Sequence, residues 1–204
     1  MNLEPTALPA AYWQRRYSDG TTGWDRGMPS PGLNWFLDRA RQFGWRKILV
    51  PGCGHGHELI ALAQAGLKVT ALDYAETAVH SLQNRLAMQE LSADVIQTDV
   101  LEFQTNHPFD AIYEQTCLCA QHPSQWKAYA QKLAEWLKPE GTLFAMFMQT
   151  TQPNGPPFAC PLGRMRELFT PEAWYWQPVV GRIEHPSGLH EWACELRLRE
   201  AKQE

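Results

Sequence analysis

Three glycines at alternate positions, Gly52, Gly54 and Gly56, stand behind an apolar run and in front of helical spacing. Residues without a Cβ permit positive φ and let a ligand lie against bare backbone. A helix that starts behind such a turn offers free N–H groups and the positive end of its dipole, which suits a negative or polar ligand group. Asp73 supplies the second half of the pattern. It closes the next apolar run, Val69 to Leu72, one helix and one strand beyond the glycines. A carboxylate in that position can accept hydrogen bonds from both hydroxyls of a ribose. Asp99 follows a third apolar run in the same way. It could accept from the exocyclic amine of an adenine while the Val100 N–H donates to a ring nitrogen. The plainer role for Asp99 is to cap Leu101-Glu102-Phe103.

These residues need elements to carry them. Ile48, Leu49 and Val50 are continuously apolar, as in a strand covered on both faces, and Pro51 lacks the N–H that would continue the pairing. From Glu58 the apolar residues fall at helical spacing, with Leu59, Leu62 and Ala63 on one side and Gly66 as the stop. The spacing predicts a helix from Ala75 to Met88, a third strand over Ala93–Gln97 and a fourth over Phe109–Tyr113. A helix from Pro123 to Leu137, a turn at Lys138–Gly141 and a fifth strand over Thr142–Met148 follow. Strands that alternate with helices in this way make a parallel, doubly wound α/β sheet of Rossmann type. Thr170-Pro171-Glu172 reads as a helix start. The runs Gln177–Glu184 and Leu189–Arg199 read as an antiparallel hairpin at the sheet edge, for seven strands in all. Trp192, Cys194, Leu196 and Leu198 alternate with charged residues, which predicts a half-buried second run. The glycines are spaced G-x-G-x-G and not G-x-G-x-x-G, which points away from nicotinamide cofactors and towards S-adenosyl-L-methionine, with S-adenosyl-L-homocysteine as its product.

Two further stretches flank this frame. Residues 1–28 form an aromatic arm. Trp13 and Tyr17 share one face if Pro9 to Ser18 is helical, and Trp24 follows. Such an arm can pack on the core, or it can close over a ligand whose sulfonium charge each aromatic face attracts by roughly 0.5–2 kcal/mol. Residues 149–164 are rich in Pro and Gly. A loop of that length beside strand ends suits a lid on the acceptor side.

The bulk numbers exclude other classes. With 204 residues the chain is read as one domain, and a net charge of −4 gives no nucleic-acid footprint. No apolar run approaches the roughly 20 residues of a membrane helix. Five Cys, an odd number without a secretory leader, read as reduced thiols in a cytoplasmic, monomeric protein. A metal site from Cys117, Cys119, His122 and Cys160 is off the usual C-x-x-C pattern, and His55-x-His57 lies inside the glycine turn; no metal is expected.

With those residues placed, the chain resembles a class I methyltransferase of the thiopurine S-methyltransferase superfamily, most of all the thiol, thiocyanate and halide methyltransferases. The resemblance rests on Tyr12-Trp13 through Trp24-Asp25, Val50-Pro51-Gly52-Cys53-Gly54, Leu72-Asp73, Asp99-Val100, Phe109-Asp110, Cys119-Ala120, Leu137-Lys138-Pro139-Glu140-Gly141 and Gly155-Pro156-Pro157-Phe158. It implies cofactor contacts from Trp13, Tyr17, Trp24, Gly52, Cys53, Gly54, Asp73, Tyr74, Asp99 and Val100. Gln115 is added to that set, although it stands where the halide-type enzymes carry Tyr, and Met148 likewise replaces a Tyr near the acceptor. It also lifts the lid reading of the arm above the packing one. The implied reaction is methyl transfer to a small molecule, most often at sulfur, or at another soft nucleophile such as selenium, tellurium or a halide. That displacement needs alignment and exclusion of water more than acid–base help. His122 and Arg164 are the candidates for a catalytic base or cation on the acceptor side. The rival readings are a nicotinamide-dependent oxidoreductase and a protein that binds the cofactor without turnover.

Overall fold

The computed structural model describes residues 8–185 and 187–200. The chain opens with α1 (Ala10–Ser18) and α2 (Gly32–Phe43), and then alternates β1 (Lys47–Pro51), α3 (His57–Gln64), β2 (Lys68–Asp73), α4 (Glu76–Met88) and β3 (Asp94–Gln97). Next come β4 (Phe109–Gln115), the short α5 (Cys117–Ala120), a 3-10 turn (Pro123–Gln125), α6 (Trp126–Trp136) and β5 (Leu137–Gln149). The last part is α7 (Leu162–Leu168), β6 (Trp174–Trp176), β7 (Gly181–Glu184) and β8 (His190–Leu198).

One sheet runs in the order β3-β2-β1-β4-β5-β8-β6, with β7 also paired to β8. The first five strands are parallel, and β8 joins β5 antiparallel. The mostly parallel α/β sheet and the antiparallel β7–β8 hairpin are as expected. The count is eight strands among the described residues and not seven. The extra one, β6, comprises three residues held by the outer part of β8. No helix begins at Thr170; a turn stands there, and the helix of this region is α7.

Period-2 alternation divides the core in two. Ile48, Val50, Ala111, Tyr113, Phe144 and Met146 pack with Phe36, Leu59, Leu62 and Leu82 from α2, α3 and α4. Leu49, Ile112, Leu143, Ala145 and Phe147 pack with Tyr129, Leu133 and Trp136 of α6 and with Met165 of α7. The central strands are therefore apolar throughout because both faces are covered. Each such large side chain, once fully buried, contributes roughly 1.5–3 kcal/mol.

Local rules hold with small shifts. Gly44 ends α2 at φ +68, in the left-handed region a residue without a Cβ takes freely, and Pro31 is its N-cap. The Lys138–Gly141 turn becomes an irregularity within β5, with Glu140 at positive φ and a register shift opposite Phe109 and Ala111. β8 departs from the half-buried expectation: Glu191 and Glu195 are buried, at 0% and 6% exposure. Arg26 meets Glu191 at 3.2 Å and Arg39 meets Glu195 at 2.9 Å, so residues from the arm and α2 cover the face that alternation assigned to solvent.

Candidate active site

The strand order reverses between β1 and β4, and the crevice outside the carboxyl ends of these strands is where an open α/β sheet takes its ligand. The glycine turn occupies that point. Gly52 and Gly54 have φ of +61 and +52, a region that L side chains rarely adopt. The turn is tied to the end of β2, since Cys53 N donates to Leu72 O at 2.9 Å and Gly54 N to Asp73 Oδ2 at 2.7 Å. Asp73 Oδ1 accepts from Ala75 N at 2.9 Å. Burial raises the Asp73 carboxyl, against the N–H groups of Ala75, Gly54 and Tyr74, which hold it down. A carboxylate kept this dry, with spare lone pairs toward a cavity, is set for strong hydrogen bonds from a ligand's hydroxyls.

The cavity measures about 380 Å³. One end is walled by Gly52, Asp73, Tyr74, Asp99 and Val100 and roofed by Trp13, Tyr17 and Trp24 of the arm. Asp99 lines the cavity and also caps the turn that follows it, its Oδ1 accepting from Leu101 N at 2.9 Å. The arm rings pack edge to face, Trp13 on Trp24 at 5.5 Å and Tyr17 on Trp24 at 5.7 Å. α1 buries no residue of its own. It is held by Gln14, whose amide donates to Thr77 Oγ1 and accepts from Thr77 N at 3.2 Å. The Tyr17 hydroxyl lies 2.8 Å from where a Cβ on Gly54 would stand, so the arm rests on the bare backbone of the turn.

The other end of the cavity is walled by Thr116, Cys119, Ala120, Met148, Pro156, Pro157 and Leu189, with His185 at its rim. Burial pushes the Cys117 and Cys119 thiols up, so both stay protonated at neutral pH. His185 has both ring nitrogens engaged, Nδ1 with Ser187 Oγ at 2.6 Å and Nε2 with Trp24 O at 3.2 Å. Burial first, then the Arg26 charge, lowers its pKa and keeps it neutral.

Five predicted residues fall outside this cavity. Cys53, Gly54 and Gln115 line a smaller one of about 60 Å³ behind the turn. The Gln115 amide donates to Glu191 Oε2 at 3.1 Å and accepts from Tyr113 Oη at 3.2 Å, so a buried polar network claims it. His122 is spent as a cap: its Nδ1 lies 2.8 Å from Ser124 Oγ and accepts from Ser124 N, and its ring meets Phe158. Arg164 is carried by α7 onto Trp126, with its guanidinium 4.5 Å from the ring centre. Sequence reasoning missed Arg16, which lines the cavity and stacks 5.2 Å from the Trp24 ring. The i, i+4 relation to Tyr12 was the available signal. It also missed His185 and Leu189, which reach the site only through the β7–β8 turn.

The sequence profile of one family, described as "Thiopurine S-methyltransferase (TPMT)", matches residues 8–182, from the arm to β7. The chain belongs to the thiopurine S-methyltransferase family. It is an S-adenosylmethionine-dependent methyltransferase. Among its relatives, thiocyanate methyltransferase 1 of Brassica oleracea is 28% identical over 170 residues, covering 82% of this chain and 75% of that one. Thiopurine S-methyltransferase of Pseudomonas putida (strain GB-1) is 27% identical over 215 residues, covering 94% and 97%. In fold the chain is similar to the Burkholderia thailandensis 1,6-didemethyltoxoflavin-N1-methyltransferase solved with 1,6-didemethyltoxoflavin and S-adenosylhomocysteine, with a TM-score of 0.75, 19% identity and coverage of 97% and 93%. The cavity of this thiopurine-methyltransferase relative fits the cofactor, since it joins a dry carboxylate and an adjacent Asp99-Val100 pair to a roof of aromatic rings.

Proposed function

We propose that the enzyme methylates a small acceptor at sulfur, with the acceptor seated against Cys119, Ala120, Met148, Pro156, Pro157 and Leu189. One observation carries this reading. Apart from Arg16, stacked on Trp24, and the Asp73 and Asp99 carboxyls, the described cavity lining holds no acidic or basic side chain but one imidazole, and that has both nitrogens occupied. A hard nucleophile such as an alcohol would need a base there. A soft one needs only alignment behind the methyl group and a dry surround. The named acceptors of the relatives, thiopurine and thiocyanate, are sulfur nucleophiles of that kind. When bound, the cofactor supplies a methyl group activated on a sulfonium.

In this reading Asp73 takes the ribose, Asp99 and Val100 the adenine edge, and Trp13, Tyr17 and Trp24 cage the charged sulfur. Residues 1–204 act as one domain, with 1–28 as the lid and 149–164, whose last residues enter α7 at Leu162, as the acceptor-side stretch. The five cysteines are free and buried, which suits a reducing compartment. No described helix is long and apolar enough to cross a membrane. We place the enzyme in the cytoplasm as a monomer, without a nucleic-acid partner.

The test is a panel of aromatic and aliphatic thiols, selenols, thiocyanate, halides and tellurite, with alcohols and amines alongside, scored by released S-adenosylhomocysteine. Thiols should lead. Turnover of alcohols or amines above thiols would overturn the assignment. Cofactor binding with no turnover on any acceptor would favour a sensor.

A further inference from the structure

Arg16 of α1 lines the large cavity, and no carboxylate among the described residues pairs with it. Its guanidinium lies 5.2 Å from the centre of the Trp24 ring and 5.9 Å from that of Tyr12. Ring contacts of this kind attract the charge, but they supply no acceptor oxygen. The Arg16 Nε is buried without a hydrogen-bond partner among the described residues. A buried donor left in that state is costly, and a group that answers it is favoured. The carboxylates in the same lining are committed elsewhere. Asp73 accepts from Gly54 N and Ala75 N, and Asp99 accepts from Leu101 N.

The chemistry of the guanidinium selects the anion. Its Nε and Nη edge presents two parallel donors, which match the two oxygens of a planar carboxylate. A doubly charged phosphate would be held by this one cation while Asp73 and Asp99 line the same cavity and repel it. A carboxylate balances Arg16 one for one. The cofactor brings a carboxylate of its own at its aminoacyl end, and a second cation is set for that. Arg26 lines the smaller cavity behind the glycine turn, which shares Trp24, Gly52 and Thr116 with the large one. One Arg26 Nη donates to Glu184 O at 2.7 Å and the other meets Glu191 at 3.2 Å. Its Nε is buried with no hydrogen-bond partner among the described residues. Arg16 lies outside that smaller cavity and lines the one that holds the acceptor wall.

We propose that Arg16 selects the acceptor by binding its carboxylate, so that the substrate class is a thiol that also carries a carboxylic acid. This deepens the reading of a sulfur acceptor and rests on it. The thiol gives its proton to water, and its sulfur forms the new bond to the methyl carbon. The electron pair of the sulfonium bond that breaks stays on the sulfur of S-adenosylhomocysteine. The carboxylate takes no part in that exchange; Arg16 holds it and so aims the sulfur. Arg16 is a binding residue and not a base, because a guanidinium has donors and no acceptor with which to take a proton.

The experiment compares para-mercaptobenzoate with its uncharged amide, para-mercaptobenzamide, as acceptors for wild type and Arg16→Gln, scored by released S-adenosylhomocysteine. Calorimetry runs beside it, first with S-adenosylhomocysteine alone and then with the S-methylated acid and amide on the loaded enzyme. Wild type should prefer the acid. Arg16→Gln should cut that preference in kcat/KM by about ten- to a hundredfold, the range of charge-assisted hydrogen bonds, and chiefly through KM. Arg16→Lys should keep part of the preference, because it retains the charge and loses the fork. Added salt should narrow the preference in wild type. Equal losses on acid and amide, which leave the preference where it was, overturn the proposal. If S-adenosylhomocysteine then also binds more weakly to Arg16→Gln, the residue serves the cofactor's carboxylate instead. A wild type that favours the amide overturns the proposal as well. Failure of the sulfur reading looks different: no thiol turns over, yet the S-methylated acid binds the loaded wild type more tightly than the amide, and Arg16→Gln removes the difference. Equal binding of the two to wild type overturns the role of Arg16 whether or not thiols react.

Discussion

Asp73 is both buried and ligand-facing. Its two oxygens hold the glycine turn and the start of α4 through Gly54 N and Ala75 N. Hydrogen bonds to a charged group are worth roughly 1.5–3 kcal/mol each. Asp73→Ala should therefore raise the cofactor dissociation constant at least tenfold in calorimetry, and an unchanged constant would remove the ribose role. Glu191 makes a different prediction. Burial lifts its carboxyl to about 7 although Arg26 is 3.2 Å away, and its Oε1 is buried without a hydrogen-bond partner among the described residues. A carboxyl raised above its unfolded value favours the fold below that value, and the contribution is lost as pH rises through the folded pKa. Unfolding free energy should thus fall from about pH 4.5 to beyond 7, by a few kcal/mol at most. Glu191→Gln should flatten part of that slope in denaturant titrations. Glu114, lifted by burial to about 8, contributes in the same sense and should preserve the rest.

At the scale of elements, what could be read from the chain was whatever local chemistry fixes. The glycine turn, the β2 acid and the helix stop at Gly66 follow from backbone freedom and periodicity, which neighbours in sequence determine. β6 was not legible, because three residues carry no period and Trp174–Trp176 becomes a strand only by pairing with β8. The Thr-Pro-Glu signal at Thr170 was real local chemistry that the chain uses for a turn. Glu191 and Glu195 look solvent-facing until Arg26 and Arg39 arrive from more than 150 residues away. His122 and Arg164 were chosen for their chemistry, and their positions were set by a cap and by a helix that periodicity did not reveal. Trp13 and Tyr17 share a face of α1 because their spacing is helical, Trp24 packs on both from beyond the end of that helix, and Tyr17 rests on the bare surface of Gly54. That surface can be tested. Gly54→Ala places a methyl group 2.8 Å from the Tyr17 hydroxyl at a φ of +52. It should cost about 1–2 kcal/mol in backbone strain, weaken cofactor binding, and expose Arg15 and Arg16 to trypsin sooner.

Taken as a whole molecule, the enzyme keeps its rigidity and its site in separate parts. The sheet and the two core layers stand without α1, which buries none of its own residues. A protein lacking residues 1–18 should keep a cooperative thermal transition and its circular dichroism, yet lose most of its cofactor affinity. Loss of the transition would show that the arm belongs to the core after all.

The fastening of the arm to the β7–β8 turn has a consequence for how the enzyme is made. Trp24 leaves the ribosome 161 residues ahead of His185, and Arg26 leaves 165 ahead of Glu191. Domains generally fold from the N-terminal side as they emerge. The glycine turn and β2 can therefore settle while the arm still has nothing at the far edge to hold. A nascent chain therefore carries its arm tied only to early neighbours, Thr77 and the glycine turn, until the hairpin appears and supplies the last of the fastenings.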